Sequence, residues 1–335
     1  KVLTIKKKTW LKIAIAVLIL VILVVFFRDS FLEGFQEIAK VPGKTVVLLL
    51  CLSMGYFLAE GGVITVMAQS CEGRVSFRSG FACALYCSFF RLVTFGSGSG
   101  VAEVYYLNKK GMKAAEATGM SLVQYLIQKI TICVMGAVSF FVCFRYVEQY
   151  IGEYQRYIAL AVLITMAIGA GILLITVFEK GKNLLFFYLK KATERKANWN
   201  QRVKKVEEQA DILQDGAKKL YHKKHCLFLA FFLNLAKYFF WFLTPYVLYG
   251  DEERLTLLVS LVLMALATMA AGVIPTPSGY GSLDAMLILL FHPLLGDAKV
   301  VSLVILYRVV VSLFPFLVGM VVAAWSLRKE KKMEG

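Results

Sequence analysis

Residues 274–284 read Ile274-Pro275-Thr276-Pro277-Ser278-Gly279-Tyr280-Gly281-Ser282-Leu283-Asp284. Prolines and glycines packed this closely remove backbone donors and favour turns, so no regular helix runs through the stretch. Apolar runs flank it on both sides, 256–274 before and 283–292 after. Broken backbone between apolar helices survives at membrane depth only where protein or water satisfies it. The segment 256–292 is therefore expected to form a helical hairpin that enters and leaves a membrane on one face.

Working outward, a second break of the same kind lies upstream. Ser97-Gly98-Ser99-Gly100-Val101-Ala102-Glu103 aligns with Ser278-Gly279-Tyr280-Gly281-Ser282-Leu283-Asp284, and both read Ser-Gly-x-Gly-x-x-acid before an apolar helix. The preceding apolar run is 79–95, so 79–110 is expected to be a first re-entrant hairpin. The remaining apolar runs are 10–27, 45–70, 118–144, 157–178, 226–249 and 299–326, each near the length of about 20 residues that crosses a bilayer. The first follows Lys6, Lys7 and Lys8, is too long for a signal-peptide core and lacks a small-residue cleavage site, so it reads as a permanent span. The whole chain, 1–335, is expected to be a single all-α polytopic membrane domain with about six full spans and two oppositely oriented re-entrant hairpins. Composition agrees: 59% of residues are hydrophobic and 18% charged, against about 45–50% and about 25% in soluble domains.

Charge fixes the expected orientation. With the two hairpins re-entrant and both termini cytoplasmic, the inner segments hold 27 of the 38 Lys and Arg and the outer ones 7. That is the asymmetry of the positive-inside rule. It makes 179–225 a basic cytoplasmic segment, and Val203, Val206, Ala210, Leu213, Ala217 and Leu220 predict a short amphipathic helix within it. Its lysines would be drawn to anionic inner-leaflet lipids, although a solvated helix that sets topology fits the same pattern. The expected location is the cell membrane.

Seven ionisable residues fall inside predicted membrane segments: Glu60, Arg91, Glu103, Lys129, Lys237, Asp284 and Arg308. Each costs about 2.5–3.5 kcal/mol at the centre of an inserted helix, so they are expected to pair or to face water. Ser53, Tyr56 and Glu60 form one line on their helix, Asn234, Lys237, Tyr238 and Trp241 share a face, and Gln124 and Gln128 are one turn apart beside Lys129. Paired broken helices near the midplane are a recurring transporter design, with the ligand at the breaks. Glycine turns at new helix starts leave N–H groups that favour an anion. The candidate substrate-binding residues are accordingly Arg91, Ser97, Gly98, Gly100, Glu103, Lys129, Lys237, Ser278, Gly279, Gly281, Asp284 and Arg308, with Arg91 and Arg308 as forks for phosphate oxygens. Glu103 and Asp284 read equally as helix caps, and any one charged pair reads equally as a structural salt bridge.

Other chemistries find no home. The seven cysteines lie mostly in apolar runs and form no Cys-x-x-Cys pair, so they read as buried hydrophobes. His222, His225 and Cys226 have no fourth partner, and no metal or cofactor site is expected. The Gly-x-Gly stretches follow no strand and carry no Gly-Lys-Ser/Thr, which excludes a nucleotide loop, and no nucleic-acid partner is expected.

At these residues the chain resembles the flippase-like membrane domain of lysyl-phosphatidylglycerol synthases, the multiple peptide resistance factor family. The resemblance rests on Arg91-Leu92-Val93-Thr94 through Glu103, on Leu107 and Lys109-Lys110-Gly111, on Ile274 through Gly281 with Asp284, and on Tyr307-Arg308 and Pro315 with Gly319. Phe95-Gly96 stands where the family usually has a proline, and Ser278, Tyr280 and Asp284 depart from its usual second break. The resemblance implies movement of a phospholipid, aminoacylated phosphatidylglycerol among the candidates, between leaflets, and a link to antimicrobial peptide resistance. Full-length relatives add a soluble aminoacyl-transferase domain, which is not expected here because the sequence stops at Gly335 after a short basic tail. Two other readings stay open at this point: a membrane-embedded headgroup transferase resembling phosphatidylglycerol lysyltransferase, and a non-transporting partner of a separate lipid synthase.

Overall fold

The computed structural model describes residues 28–71, 73–94, 96, 98–141, 152, 155–177, 179–193, 197–221, 223–273, 276 and 281–334. The predicted first span, 10–27, and Ser97, Pro275, Ser278, Gly279 and Tyr280 lie outside the described residues. The fold is all-α. Helices run α1 Arg28–Lys40, α2 Gly43–Ser70, α3 Phe77–Val93, α4 Ser99–Lys109, α5 Ala114–Phe141, α6 Gln155–Val177, α7 Glu179–Thr193, α8 Ala197–Tyr221, α9 Lys224–Phe242, α10 Thr244–Tyr249, α11 Leu257–Ala271, α12 Ser282–Arg308 and α13 Phe314–Glu334.

Four stretches among the described residues are long and apolar enough to cross a membrane: Gly43–Ser70, Ala114–Phe141, Lys224–Tyr249 and Ser282–Ser326. The protein is thus an all-α membrane protein. The helices at the two breaks are shorter. The 11 residues of α4 rise about 17 Å, well short of a hydrocarbon core of about 30 Å, and the 15 of α11 rise about 23 Å. The Ser282–Ser326 stretch is not one straight rod. Gly296 has φ 73° and ψ 178°, so α12 bends there just after Pro293. Beyond Arg308 a single π turn, Val309–Leu313, joins α12 to α13. Ser53 of α2 donates to the Val310 carbonyl in that turn at 2.7 Å, satisfying backbone that the wider turn frees.

Small residues set the closest crossings. A Cβ at Gly80 of α3 would stand 2.2 Å from Thr65 Oγ1 and 2.5 Å from the Gly61 carbonyl of α2. A Cβ at Gly319 of α13 would stand 2.2 Å from the Leu85 carbonyl of α3, where Ser88 Oγ also donates to Pro315 O at 2.8 Å. Such small-residue contacts are how membrane helices gain packing without a hydrophobic driving force between them.

Two buried cores result. One gathers α2, α3, α4 and the first half of α5, with residues such as Val63, Ile64, Leu85, Leu107 and Met120. The other gathers α11 and α12, with Leu263, Leu266, Leu287, Phe291 and Leu303. Trp241 of α9 packs against both. It stacks on Tyr307 at 5.8 Å with nearly parallel rings and meets Tyr56 edge-on at 5.5 Å, so an aromatic seam joins the halves.

Within 179–225 the expected helix over 203–220 forms as part of α8, and a second helix, α7, precedes it. Lys190 pairs with Glu207 at 2.6 Å and Lys182 pairs with Asp211, holding the two helices antiparallel. Residues 28–40, for which the sequence pattern makes no structural prediction, form α1 and pack on α12, with Gly34 against Val301. The run 226–249 is divided at Thr244-Pro245, because proline cannot donate to the preceding turn and opens the short α10 instead.

Candidate functional site

The first break is built by Thr94 and two glycines. Thr94 Oγ1 donates to Phe90 O at 2.6 Å and accepts the Gly98 N–H at 2.8 Å, while Gly96 N–H reaches back to Arg91 O at 2.7 Å. Gly96 has φ 91°, a conformation that side chains resist, so the chain can turn there. Helix α4 then starts at Ser99, with Gly98 as its N-cap. Glu103 therefore sits in the second turn and does not cap the helix. That removes its capping role and turns it toward the neighbouring helices.

The second break follows the capping expectation. Gly281, at φ 87°, is the N-cap of α12, and its N–H donates to Asp284 Oδ2 at 2.8 Å. The other oxygen, Asp284 Oδ1, accepts from Arg308 Nε at 2.6 Å. One carboxylate thus closes the helix start and neutralises the late arginine. Thr276 and Ser282 hydroxyls meet at 2.6 Å beside it. In both breaks the N–H of the capping glycine is taken by its own chain, so neither Gly98 nor Gly281 offers that amide to an anion.

Of the remaining intramembrane charges, Glu60, Arg91, Glu103 and Lys237 converge between α2, α3, α4, α5 and α9. Lys237 Nζ lies 2.6 Å from Glu60 Oε2, and both side chains are almost wholly buried. Gln124 Nε2 points at Glu60 Oε1 from 3.5 Å. Arg91, in the last turn of α3 where a helix favours a cation, reaches the Tyr56 hydroxyl and stands within electrostatic range of Glu60. Lys237 also lies over the rings of Tyr56 and Tyr238, at 5.5 and 5.1 Å. Gln128 donates to Tyr238 Oη at 2.8 Å. Lys129 turns the other way and sits over Tyr125 at 5.2 Å, outside this group.

A cavity of about 630 Å³ opens onto that network. Charged and polar groups, Glu60, Arg91, Glu103, Gln124 and Gln128, line one part of it, and Ile64, Val101, Val104 and Leu122 another. Gln209 of α8 also reaches it, because α8 crosses α5 where Gly216 and Gly119 let the backbones touch: a Cβ on Gly216 would stand 2.8 Å from Gly119 O. Gly100 lines the cavity too, and a Cβ there would meet nothing within 4 Å. Inside, Glu103 Oε1, Gln124 Oε1 and Ser121 Oγ are buried with no hydrogen-bond partner among the described residues.

Of the sequence candidates, Arg91, Gly100 and Glu103 thus line one cavity and Lys237 backs it. Gly98 shapes the turn above it. Asp284, Gly281 and Arg308 form a separate group across the aromatic seam, Lys129 belongs to neither, and Ser97, Ser278 and Gly279 lie outside the described residues. Sequence reasoning did not assign Glu60, Gln124, Gln128, Ser121 or Gln209 to a site. Glu60 and the two glutamines were visible as polar residues on helical faces, whereas Gln209 could not be found without the α5–α8 crossing. Among the described residues no three His, Cys, Asp or Glu side chains converge as metal ligands.

The family profile described as "Lysylphosphatidylglycerol synthase TM region" matches residues 9–319. The chain belongs to this family. The match spans both breaks, the α7–α8 pair and the start of α13, so the cavity lies within the shared region. Membership carries a membrane role related to lipids. No curated protein and no solved structure matches the chain significantly.

Proposed function

We infer that the protein moves a phospholipid between membrane leaflets, with the headgroup passing through the cavity at the first break. The observation that carries this reading is the cavity itself. It sets a guanidinium, two carboxylates and three glutamines against apolar side chains beside a bundle of membrane helices. Its volume of about 630 Å³ falls in the range of about 300–1,000 Å³ typical of small-molecule sites. A headgroup crossing bare hydrocarbon leaves its charges unsolvated, and fixed polar groups offset that cost. Arg91 is the group suited to the phosphate, as a planar fork at a helix C-terminus beside a glycine-lined wall. An aminoacylated phosphatidylglycerol is one substrate this family context suggests.

The reading includes a topology. Helix α4 is too short to span, so α3 and α4 form a re-entrant hairpin from the cytoplasmic side, and α11 with the first part of α12 forms its counterpart from outside. Both termini and the α7–α8 pair are then cytoplasmic in the cell membrane, and Gln209 marks the cytoplasmic mouth of the cavity. The basic faces of α7 and α8 lie against anionic inner-leaflet lipid.

The test is leaflet exchange of a labelled phospholipid in vesicles holding the purified protein, with no other substrate added. Wild type exchanges lipid, and Arg91→Gln reduces the rate at least tenfold while inserting normally. No exchange by wild type, or equal exchange by the variant, refutes the reading.

A further inference from the structure

Glu103 has no role in the phosphate contact just described, and its surroundings are unusual for a carboxylate. Its Oε1 is buried without a hydrogen-bond partner among the described residues. The titratable and charged groups facing it are Glu60 from α2, Cys83, Cys87 and Arg91 from α3, Tyr125 from α5 and Lys237 from α9. Each of the two nearby cations has another partner. Lys237 is 2.6 Å from Glu60 Oε2, and Arg91 lies at the Tyr56 hydroxyl with Glu60 behind it. Glu60 itself is a like charge within electrostatic reach.

The cavity also holds more acceptors than donors at this point. Gln124, which is 5% exposed, directs its Nε2 at Glu60 and leaves Oε1 unpartnered. Ser121 Oγ stands beside Glu103 but makes no well-formed hydrogen bond among the described residues. These three buried oxygens of one cavity have a single hydroxyl hydrogen among them, on Ser121, and buried acceptors without donors are costly. A single hydrogen added to Glu103 removes the charge that faces Glu60 and supplies the missing donor.

We propose that Glu103 is a proton-binding site in the cavity, and that its proton is given up or taken on as a lipid headgroup enters or leaves. The first half stands on the cavity alone; the second rests on the transport reading above. The step is a plain proton exchange between the Glu103 carboxyl and cavity water. It gives the transporter a way to draw on a proton gradient.

Infrared spectroscopy of the full chain in lipid nanodiscs tests the first half directly, because a protonated carboxyl has a C=O stretch that a carboxylate lacks. At neutral pH in sodium-free buffer the wild type shows this band, E103Q loses it, and E60Q retains it. A wild type without the band, or a band unchanged in E103Q, overturns the proposal. So does a band that vanishes on adding sodium, which would make the site one for a metal cation. For the second half, a pH gradient across vesicles changes wild-type lipid exchange several-fold and leaves the residual exchange of E103Q unmoved. A gradient effect of equal size in E103Q overturns the coupling. A wild type that exchanges no lipid at any pH overturns the transport reading and the coupling together, while the infrared result still decides the proton site.

Discussion

Lys237 Nζ and Glu60 Oε2 lie 2.6 Å apart although 177 positions separate them in the chain, and this pair ties α9 to α2 behind the cavity. Removing one partner of a buried pair leaves the other charge uncompensated, at a cost of about 3–5 kcal/mol. Lys237→Met is therefore expected to lower the thermal midpoint of the purified protein sharply. Adding Glu60→Gln to it should restore most of the loss. A double variant no more stable than the single one would show that the pair is not the reason for the cost.

Asp284 is read as two contacts on one carboxylate, and graded substitution separates them. Asp284→Asn keeps an oxygen for the Gly281 N–H but loses the charge that holds Arg308. Asp284→Ala loses both. The alanine variant should be less stable than the asparagine variant by about 1 kcal/mol, the usual worth of a helix cap, in the same thermal assay. Equal losses would remove the cap from the account. Arg308→Gln should weaken stability more than it slows lipid exchange by the molecules that remain folded, the reverse of Arg91→Gln.

Glycine substitutions divide packing from transport. Gly100→Val projects into the cavity from a position where a Cβ meets nothing within 4 Å, so the protein should fold normally and exchange lipid poorly. Gly80→Val must displace the backbone of α2, because even a Cβ would lie 2.5 Å from Gly61 O. It should yield little monodisperse protein by size-exclusion chromatography. Gly98→Val is a poor probe by comparison, since its Cβ would press on Thr94 at 2.7 Å and distort the turn itself. A Gly100→Val variant that folds and exchanges lipid at the wild-type rate would argue against the cavity as the path.

The topology has its own check. Lys110, after α4, and Glu208, on α8, are exposed. Single cysteines at these positions in a cysteine-free background should resist an impermeant reagent added outside intact cells and react after permeabilisation. Outside labelling of either one would reject the re-entrant first hairpin as placed here.

Much of the polar interior was legible in the sequence because helical periodicity is local. Ser53, Tyr56 and Glu60 were placed on one line of α2, and each does turn inward: Ser53 to Val310 O, Tyr56 to Trp241 and Glu60 to Lys237. The face of Asn234, Lys237, Tyr238 and Trp241 is likewise the inner face of α9. What spacing cannot give is the choice of partner across helices. Arg308 was grouped with Arg91 as a second phosphate fork, yet it meets Asp284, since the start of α12 and its far end come together through the bend at Gly296. Glu103 was paired with Asp284 by alignment of the two breaks. The Thr94 hydroxyl starts α4 earlier than that alignment implies, so the two acids have different surroundings: one caps, the other faces the cavity. Helix α1 was missed because its sequence carries no long apolar run, only a face that finds α12.

The most direct test of the central claim is where a headgroup touches the protein. A phospholipid with a photoactivatable group in its headgroup, incorporated with the purified chain and irradiated, should label peptides from 99–104 and 118–128. The Arg91→Gln variant should lose that label while its lipid-facing background stays the same. Labelling confined to α11 and α12, or spread evenly over the lipid-facing surface and unchanged in Arg91→Gln, would contradict a headgroup site at the first break.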